Sequence, residues 1–196
     1  MAEAVRQATA YAERAYVVDL AWLRTTPWRE RLSATFDPPV WRAELGKLSG
    51  ITIHHRPDSA VSGLLLFGWL ASRLGWKATE ALAPSEAGGL LFRMQRADAA
   101  IQVRVRPRFE RGLEEGDLSG LRIQAQRDGR LAEFVVKRVA GTGHALATVS
   151  VDGRVAASRA VPLPAPTVTD LLGEELTIAG SDRIYEEAMA ALVRLA

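Results

Sequence analysis

The residues from Ala60 to Trp76, AVSGLLLFGWLASRLGW, decide the fold of this chain. Between Val61 and Leu74 the spacing predicts a helix with apolar side chains on almost every side, which is typical of a helix buried in a core. Gly63 and Gly68 leave room for another element to pack closely against it, and Gly75 suits the left-handed residue that ends a helix. We therefore predict that this helix is the structural centre of the protein.

The sequence on both sides of this helix predicts a sheet. A strand, ITIHHR (51–56), precedes the helix, and apolar residues alternate with period two from residue 90 to residue 162. Asp128-Gly129 and Asp152-Gly153 mark hairpin turns, so consecutive strands are expected to pair as antiparallel neighbours. The strands after the helix are predicted over Leu90–Gln95, Ala100–Arg106, Leu121–Gln126, Ala132–Val139, Ala145–Val151 and Arg154–Val161.

These elements predict an α+β fold in one domain. We expect an antiparallel β-meander sheet of about five to seven strands, packed by the central apolar helix, with flanking N- and C-terminal helices. A length of 196 residues agrees with a single domain over 1–196. Residues 1–76 are then mainly helical, 89–162 form the sheet and 163–196 form C-terminal helices. The flanking helices are predicted over 3–16, 167–172 and 181–195, the last of them capped by Ser181.

Composition excludes several classes of protein. With 48% hydrophobic and 24% charged residues, this is an ordinary globular sequence. It has no cysteine, which excludes disulfides, thiolate zinc sites and a thiol switch within the chain. The longest apolar run, 60–76, contains Arg73 and is short for a membrane span, and the first residues lack a signal-peptide core. We expect a cytoplasmic protein that does not bind a membrane.

The sequence contains few groups that suggest chemistry. It has no P-loop, no dinucleotide-binding glycine pattern, no nucleophile elbow and no zinc motif. His54 and His55 are adjacent, and on a strand they point to opposite faces, so they cannot easily share a metal. The net charge is only +2, and no basic run is interleaved with aromatic residues. We therefore predict no enzymatic activity, no catalytic residue, no cofactor, no metal and no nucleic-acid partner.

A second distinctive stretch, DLAWLRTTPWRERLSATFDPP, runs from residue 19 to residue 39 and contains two of the five tryptophans. Asp19 is placed to cap a first helix. Pro27 cannot continue that helix, so Thr26 is predicted to cap a second helix that has Pro27 in its first turn. An apolar stripe recurs every four residues along the second helix, at Trp28, Leu32 and Phe36.

Several strings within these two stretches resemble one known family. They are DLAWLR (19–24), PWRE (27–30), FDPP (36–39) and LLLFGWLASRLGW (64–76). Their order and spacing resemble the glucose-6-phosphate dehydrogenase assembly protein family, OpcA. The resemblance covers nearly the whole chain but only the C-terminal part of the family's usual length, so we expect the family's N-terminal domain to be absent here.

The resemblance implies a non-enzymatic regulatory protein that binds glucose-6-phosphate dehydrogenase and promotes its oligomerisation or activation in the pentose phosphate pathway. Such a factor acts by binding the active conformation or oligomer more tightly than the inactive one. The sequence also leaves open whether the factor itself forms a homo-oligomer. The family motif carries the partner-binding role onto Trp22, Arg24, Pro27, Trp28, Arg29, Asp37 and Pro38. Of these, we expect Trp28 to lie mainly in the core, and Arg24 and Arg29 to carry more of the contact.

A second hypothesis comes from the predicted sheet. Alternation along the strands places arginines and glutamines on one face, and Lys137 or Arg138 could continue the row. The face is either simply solvated, as antiparallel sheets commonly are, or a docking surface for an acidic partner or a phosphorylated metabolite. In the latter case the chain is a small-molecule sensor for a sugar phosphate or nucleotide, with Arg104, Arg106, Arg122 and Gln124 as the ligand-binding residues.

Overall fold

The computed structural model describes residues 19–80, 83–84, 88–175 and 182–195. The helix predicted over 3–16 and the cap predicted at Ser181 lie outside these residues. Within them, helices from both ends of the chain and the central apolar helix lie on one face of a nine-stranded sheet.

The stretch from residue 19 to residue 39 folds as α1 (Leu20–Leu23), α2 (Thr26–Phe36) and the start of α3 (Pro39–Arg42). A 3-10 helix over Ala43–Lys47 follows. Asp19 caps α1 as predicted, because its Oδ1 accepts from the N–H groups of Ala21 at 2.9 Å and Trp22 at 3.2 Å. The predicted cap at Thr26 is wrong by one residue, since Thr25 precedes α2. The Thr25 hydroxyl donates back to the carbonyl of Trp22 at 2.7 Å and therefore does not cap α2.

The central helix, α4 (Ala60–Leu74), is buried along most of its length, as predicted. It ends at Gly75, which has a left-handed φ of 65°, a conformation that glycine adopts without steric cost. Gly68 allows the C-terminal helix to approach closely: a Cβ atom at this position would lie 2.6 Å from the carbonyl oxygen of Ala188.

The strands predicted after α4 are all present, with ends shifted by up to about three residues. The sheet order is β2-β4-β5-β1-β6-β7-β8-β9, and β3 pairs with β4. The strands are β1 (Leu48–His55), β2 (Lys77–Ala78), β3 (Ala83–Pro84), β4 (Leu90–Arg96), β5 (Ala99–Pro107), β6 (Leu118–Arg127), β7 (Arg130–Val139), β8 (His144–Val151) and β9 (Arg154–Pro162).

The position of β1 modifies the predicted meander. This strand lies between β5 and β6, antiparallel to β6 and parallel to β5, and Ile51 is opposite both Val103 and Ile123. The α+β class is confirmed, with a mostly antiparallel sheet, but β5 and β6 are not hairpin neighbours. The physical reason is that β1 is apolar and buried at Ile51 and Ile53, and buried backbone N–H and C=O groups need hydrogen-bond partners. A central position supplies these partners along both edges of the strand.

Two helices close the fold after the sheet, α5 (Val168–Glu175) and α6 (Arg183–Val193). Asp182 caps α6, accepting from the N–H groups of Ile184 at 2.9 Å and Tyr185 at 3.0 Å. The helix packs along α4 through buried Ala188 and Leu192. None of the helices in the described ranges is long and apolar enough to cross a membrane.

The sheet therefore has two unlike faces. On the helix side, alternate residues of the central strands are almost fully buried, and no described helix covers the other face. The β8–β9 end of the sheet extends past the described helices, and β9 is exposed along nearly its whole length.

Candidate functional site

The α1 tryptophan is a core residue that holds both ends of the described chain together. Trp22 is 2% exposed, and its Nε1 donates to Asp182 Oδ2 at 2.6 Å. Its ring lies 5.5 Å from that of Tyr185, whose hydroxyl donates to Asp19 Oδ2 at 3.1 Å. The two helix caps are thus linked through one aromatic pair. The indole of Trp22 is not available to a partner on this face.

The α2 tryptophan is also in the core, as the sequence predicted. Trp28 is 1% exposed, and the guanidinium of Arg138 lies 5.5 Å from its ring. Arg138 itself is buried on the helix side of β7, so it does not continue the arginine row on the other face. Burial lowers its pKa, and the nearby carboxylate of Asp117 partly offsets this effect.

Arg24 and Arg29, which were expected to carry more of the partner contact, are largely internal. Arg29 lies 3.7 Å from the ring centre of Trp22 and donates to Thr26 Oγ1 at 2.8 Å. Burial lowers its pKa to about 10, although the charges of Asp182 and Glu30 oppose this. Arg24 has a side chain that is only 14% exposed and lies 3.9 Å from Asp117. These cations stabilise the helix layer, and little of either is available for contact.

Arg24 also lines a shallow cleft at the start of α4. The cleft has a volume of about 310 Å³ and lies between α1, the N-terminus of α4 and the loop at Glu115 and Gly116. The Ser59 hydroxyl, which does not cap α4, donates to Asp58 and accepts from the Gly116 N–H at 2.7 Å. The acidic residues in its wall make this cleft a poor anion site.

The exposed part of the predicted motif is the turn between α2 and α3. Asp37 and Pro38 are exposed there, whereas Pro27 is half-buried in the first turn of α2. The turn is held in place because Phe36 and Trp41 both pack on Phe134, with ring centres 5.0 and 5.1 Å away. Arg42 also donates to the carbonyl of Asp37 at 2.7 Å.

This turn forms one wall of a groove, which we call the corner groove. Its volume is about 280 Å³. The other wall and the floor are formed by β7, β8 and β9, past the ends of the described helices. The lining is mainly apolar and consists of Ala34, Thr35, Pro38, Trp41, Phe134, Val135, Val136, Ala147, Thr148, Val149, Ala157 and Arg159. The sequence offered no local signal for this groove, because it depends on where the helices stop.

The uncovered face of the sheet carries the predicted arginines in a second depression, which we call the basic trough. Its floor is the short or flat side chains of β1, and its walls are the long side chains of β5 and β6. Thr52 is in register with both Arg104 and Arg122, and His54 with both Arg106 and Gly120. The trough comprises Gly50, Thr52 and His54 in the floor, and Gln102, Arg104, Arg106, Arg122 and Gln124 in the walls.

The two histidines point to opposite faces of β1, as predicted. His55 is buried on the helix side, with its Nδ1 2.6 Å from the carbonyl oxygen of Arg56. His54 lies in the trough, and its buried Nδ1 has no hydrogen-bond partner. Burial, followed by the charges of Arg108, Arg106 and Arg122, lowers the pKa of His54 to about 4, with Glu110 opposing the shift.

Within the described ranges, no group of three or more histidine, aspartate or glutamate side chains is placed to hold a metal ion. The acidic loop before β6 is used internally instead. Glu110 lies 3.3 Å from both Arg108 and Lys137, and Asp117 accepts from the N–H of Glu114 at 3.1 Å.

Comparison with known proteins identifies one family. Residues 15–189 match the family described as the C-terminal domain of the glucose-6-phosphate dehydrogenase subunit. A protein of Synechococcus elongatus named OxPP cycle protein OpcA is 26% identical over 189 residues, which is 92% of this chain and 41% of that protein. Proteins of the same name from Synechocystis sp. and Nostoc punctiforme are each 38% identical over 60 and 61 residues, which is 31% of this chain and 13% of each relative. The chain thus spans less than half the length of the Synechococcus relative.

Proposed function

Because the chain belongs to the family formed by the C-terminal domain of the glucose-6-phosphate dehydrogenase subunit, we propose that it is a non-enzymatic regulatory domain that binds glucose-6-phosphate dehydrogenase. In the oxidative pentose phosphate cycle it promotes the oligomerisation or activation of that enzyme. It does so by binding the active conformation or oligomer more tightly than the inactive one, since a ligand shifts an equilibrium only by its differential affinity.

The observation that carries a docking role is the corner groove. It is an apolar surface continuous with the core, and a surface of this kind on a folded domain commonly marks an interaction site. The exposed residues of the family-like motif, Asp37 and Pro38, lie beside it, and Pro38 lines it. Its rim is already ordered by the packing of Phe36 and Trp41 on Phe134, so docking loses little conformational entropy.

The other predicted partner-binding residues support this surface indirectly. Trp22 and Arg29 connect α1 to α6 and to α2, while Trp28 and Arg24 anchor the same helices to the sheet and to the loop before β6. In this proposal their role is to hold α2 and the Asp37–Pro38 turn in the docking position.

The test mixes the chain with purified dehydrogenase and measures the oligomeric state, the affinity and the kinetics of the enzyme. The variant Ala157→Glu puts a charge into the groove on an exposed strand, and we expect it to weaken binding by at least about tenfold, because a buried unpaired charge opposes association. Ala160→Glu is the matched control, since Ala160 is an exposed alanine of β9 on the other face of the sheet.

Two results would count against the proposal. An enzyme whose oligomeric state, substrate affinity and rate are all unchanged by the chain would contradict the regulatory function. If the wild-type chain binds the enzyme and Ala157→Glu and Ala160→Glu have the same effect on its affinity, docking at the corner groove is contradicted.

A further inference from the structure

The basic trough has the shape of an anion site. Neighbouring strands in a sheet are about 4.8 Å apart, so Arg104 and Arg122, one strand to either side of Thr52, have backbones roughly 10 Å apart. Thr52 is short and Gly120 has no side chain, whereas the flanking arginines are long. The trough is therefore a depression that guanidinium groups can reach from both sides.

The charges of the two arginines beside Thr52, Arg104 and Arg122, are only weakly balanced. Arg104 Nη2 donates to a neutral acceptor, Gln102 Oε1, at 2.7 Å, and no carboxylate among the described residues lies within ion-pair distance of it. Arg122 Nη1 lies 3.6 Å from Glu133 Oε1, an oxygen that also accepts from Gln124 Nε2 at 2.9 Å. An exposed ion pair of this length is weak, so Arg122 can turn towards a stronger anion.

Cations also surround His54, which lies two residues after Thr52 on the same face of β1. Arg106, Arg108 and Arg122 are close enough to disfavour its protonation, and Glu110 is the carboxylate that opposes them. Glu110 is itself shared, at 3.3 Å from both Arg108 and Lys137. The field at the floor of the trough is therefore positive, which favours an anion there.

Two polar groups of the floor have no hydrogen-bond partner among the described residues. The buried Nδ1 of His54 makes no hydrogen bond, and leaving a buried polar atom unpaired is unfavourable. The Thr52 hydroxyl also makes no hydrogen bond with the described residues. A tetrahedral oxyanion above Thr52 and His54 could accept from the hydroxyl and, in one tautomer, from the imidazole N–H.

We infer that the basic trough binds a phosphate group carried by a small molecule, with Thr52 and His54 below it and Arg104 and Arg122 closing on it from the two sides. Arginine suits this role because its planar donors pair with phosphate oxygens in bidentate fashion. The dianionic charge of a phosphate ester matches an excess of several cations better than a single carboxylate does. Gln124, whose side chain covers Gly50, closes one end of the site.

This site is on the opposite face of the sheet from the corner groove, so its test does not depend on the dehydrogenase. Isothermal titration calorimetry of the chain alone would use inorganic phosphate, glucose 6-phosphate and, as the uncharged control, glucose. Saturable binding of glucose 6-phosphate but not glucose is expected. A comparable affinity for inorganic phosphate would identify the free ion as sufficient, and a weaker one would identify a phosphate ester as the ligand.

Variants then locate the site. We expect Arg104→Gln and Arg122→Gln each to weaken phosphate binding by about tenfold, the effect of losing a charge-assisted hydrogen bond. Thr52→Val should weaken it without any change in charge. The matched control is Arg154→Gln, which removes the same charge from exposed β9, outside the trough, and should leave the affinity unchanged.

Nuclear magnetic resonance gives an independent readout. A phosphate beside His54 should raise the pKa of this residue towards its ordinary value, because its negative charge offsets the neighbouring arginines. The proposal is overturned if no ligand binds at concentrations up to about 10 mM, or if Arg154→Gln is as damaging as Arg104→Gln. It is also overturned if the trough variants weaken only the binding of the dehydrogenase, which would make this face a protein-docking surface.

Discussion

At the residue scale, this chain uses arginine in two opposite environments. Arg29 and Arg138 lie over tryptophan rings, with guanidinium carbons 3.7 and 5.5 Å from the ring centres. Burial removes part of their hydration and thereby lowers their pKa values. Arg104 and Arg122 remain on the uncovered face of the sheet, where the first donates to the side-chain amide oxygen of Gln102 and the second forms a 3.6 Å ion pair with Glu133. Composition alone does not distinguish the buried arginines from the exposed ones, since all four are the same residue type in the sequence.

His54 provides a prediction about pH. Its pKa is about 4 in the folded protein and ordinarily 6.5, so between these values the unfolded chain binds a proton that the folded chain does not. The free energy of unfolding should therefore fall as pH is lowered from about 6.5 to about 4. His54→Gln removes this contribution, and its stability should depend less on pH in that window.

The measurement is urea denaturation of both proteins at several pH values across the window. His55 contributes in the same direction and is retained in the variant, so the difference between the two proteins isolates His54. Parallel profiles for the variant and the wild type would contradict the lowered pKa.

At the element scale, the packing of α4 against α6 depends on glycine. A Cβ atom on Gly68 would lie 2.6 Å from the carbonyl oxygen of Ala188 and 2.8 Å from Leu192 Cγ. The first of these neighbours is backbone, so it cannot move without shifting α6. The close approach explains why a helix with a high apolar content tolerates a residue of low helix propensity at its centre.

We expect Gly68→Ala to destabilise the protein by about 1–3 kcal/mol, the usual cost of overpacking, even though alanine is the better helix former. Gly173→Ala is the matched control, because Gly173 is also helical, in α5, and a Cβ atom at this position would have no described atom within 4 Å. It should be neutral or stabilising by up to about 1 kcal/mol. Chemical denaturation measures both, and equal midpoints would refute close packing at Gly68.

At the scale of the whole molecule, Arg138 connects the sheet to the segment that returns the chain to the helix layer. Its guanidinium donates to the carbonyl of Leu118 at 3.3 Å, of Leu163 at 2.9 Å and of Pro164 at 3.4 Å. The linker after β9, which contains Pro164 and Pro166, is thus bound to the interior through its first residues. One buried side chain joins β7, the start of β6 and this linker.

Arg138→Met should therefore loosen this junction. It keeps an unbranched apolar side chain but leaves buried carbonyl groups without donors, which we expect to cost about 1–3 kcal/mol. Lys137→Met is the control on the exposed face of the same strand and should stay within about 0.5 kcal/mol. Hydrogen exchange of the Leu163 amide, which donates to the carbonyl of Gly143 at 2.8 Å, should accelerate in Arg138→Met alone. Unchanged exchange would show that the linker is held by other contacts.

Much of the fold follows from local pattern. The all-round apolar run of α4, its end at Gly75, the period-two strands and the stripe of Trp28, Leu32 and Phe36 were all predictable, because each depends on residues within a few positions of one another. The arginine and glutamine row was predictable for the same reason, since alternation along a strand assigns its two faces.

Tertiary structure alone decided which of these surfaces meet and which are covered. The position of β1 between β5 and β6 brings Thr52 beside Arg104 and Arg122, residues that are far apart in the sequence. Likewise, Trp22 is buried because Asp182 and Tyr185 reach it from the other end of the chain, and the corner groove exists because no described helix continues over β8 and β9. A sequence pattern specifies the face on which a side chain lies, but the element that covers that face is chosen by packing between distant segments.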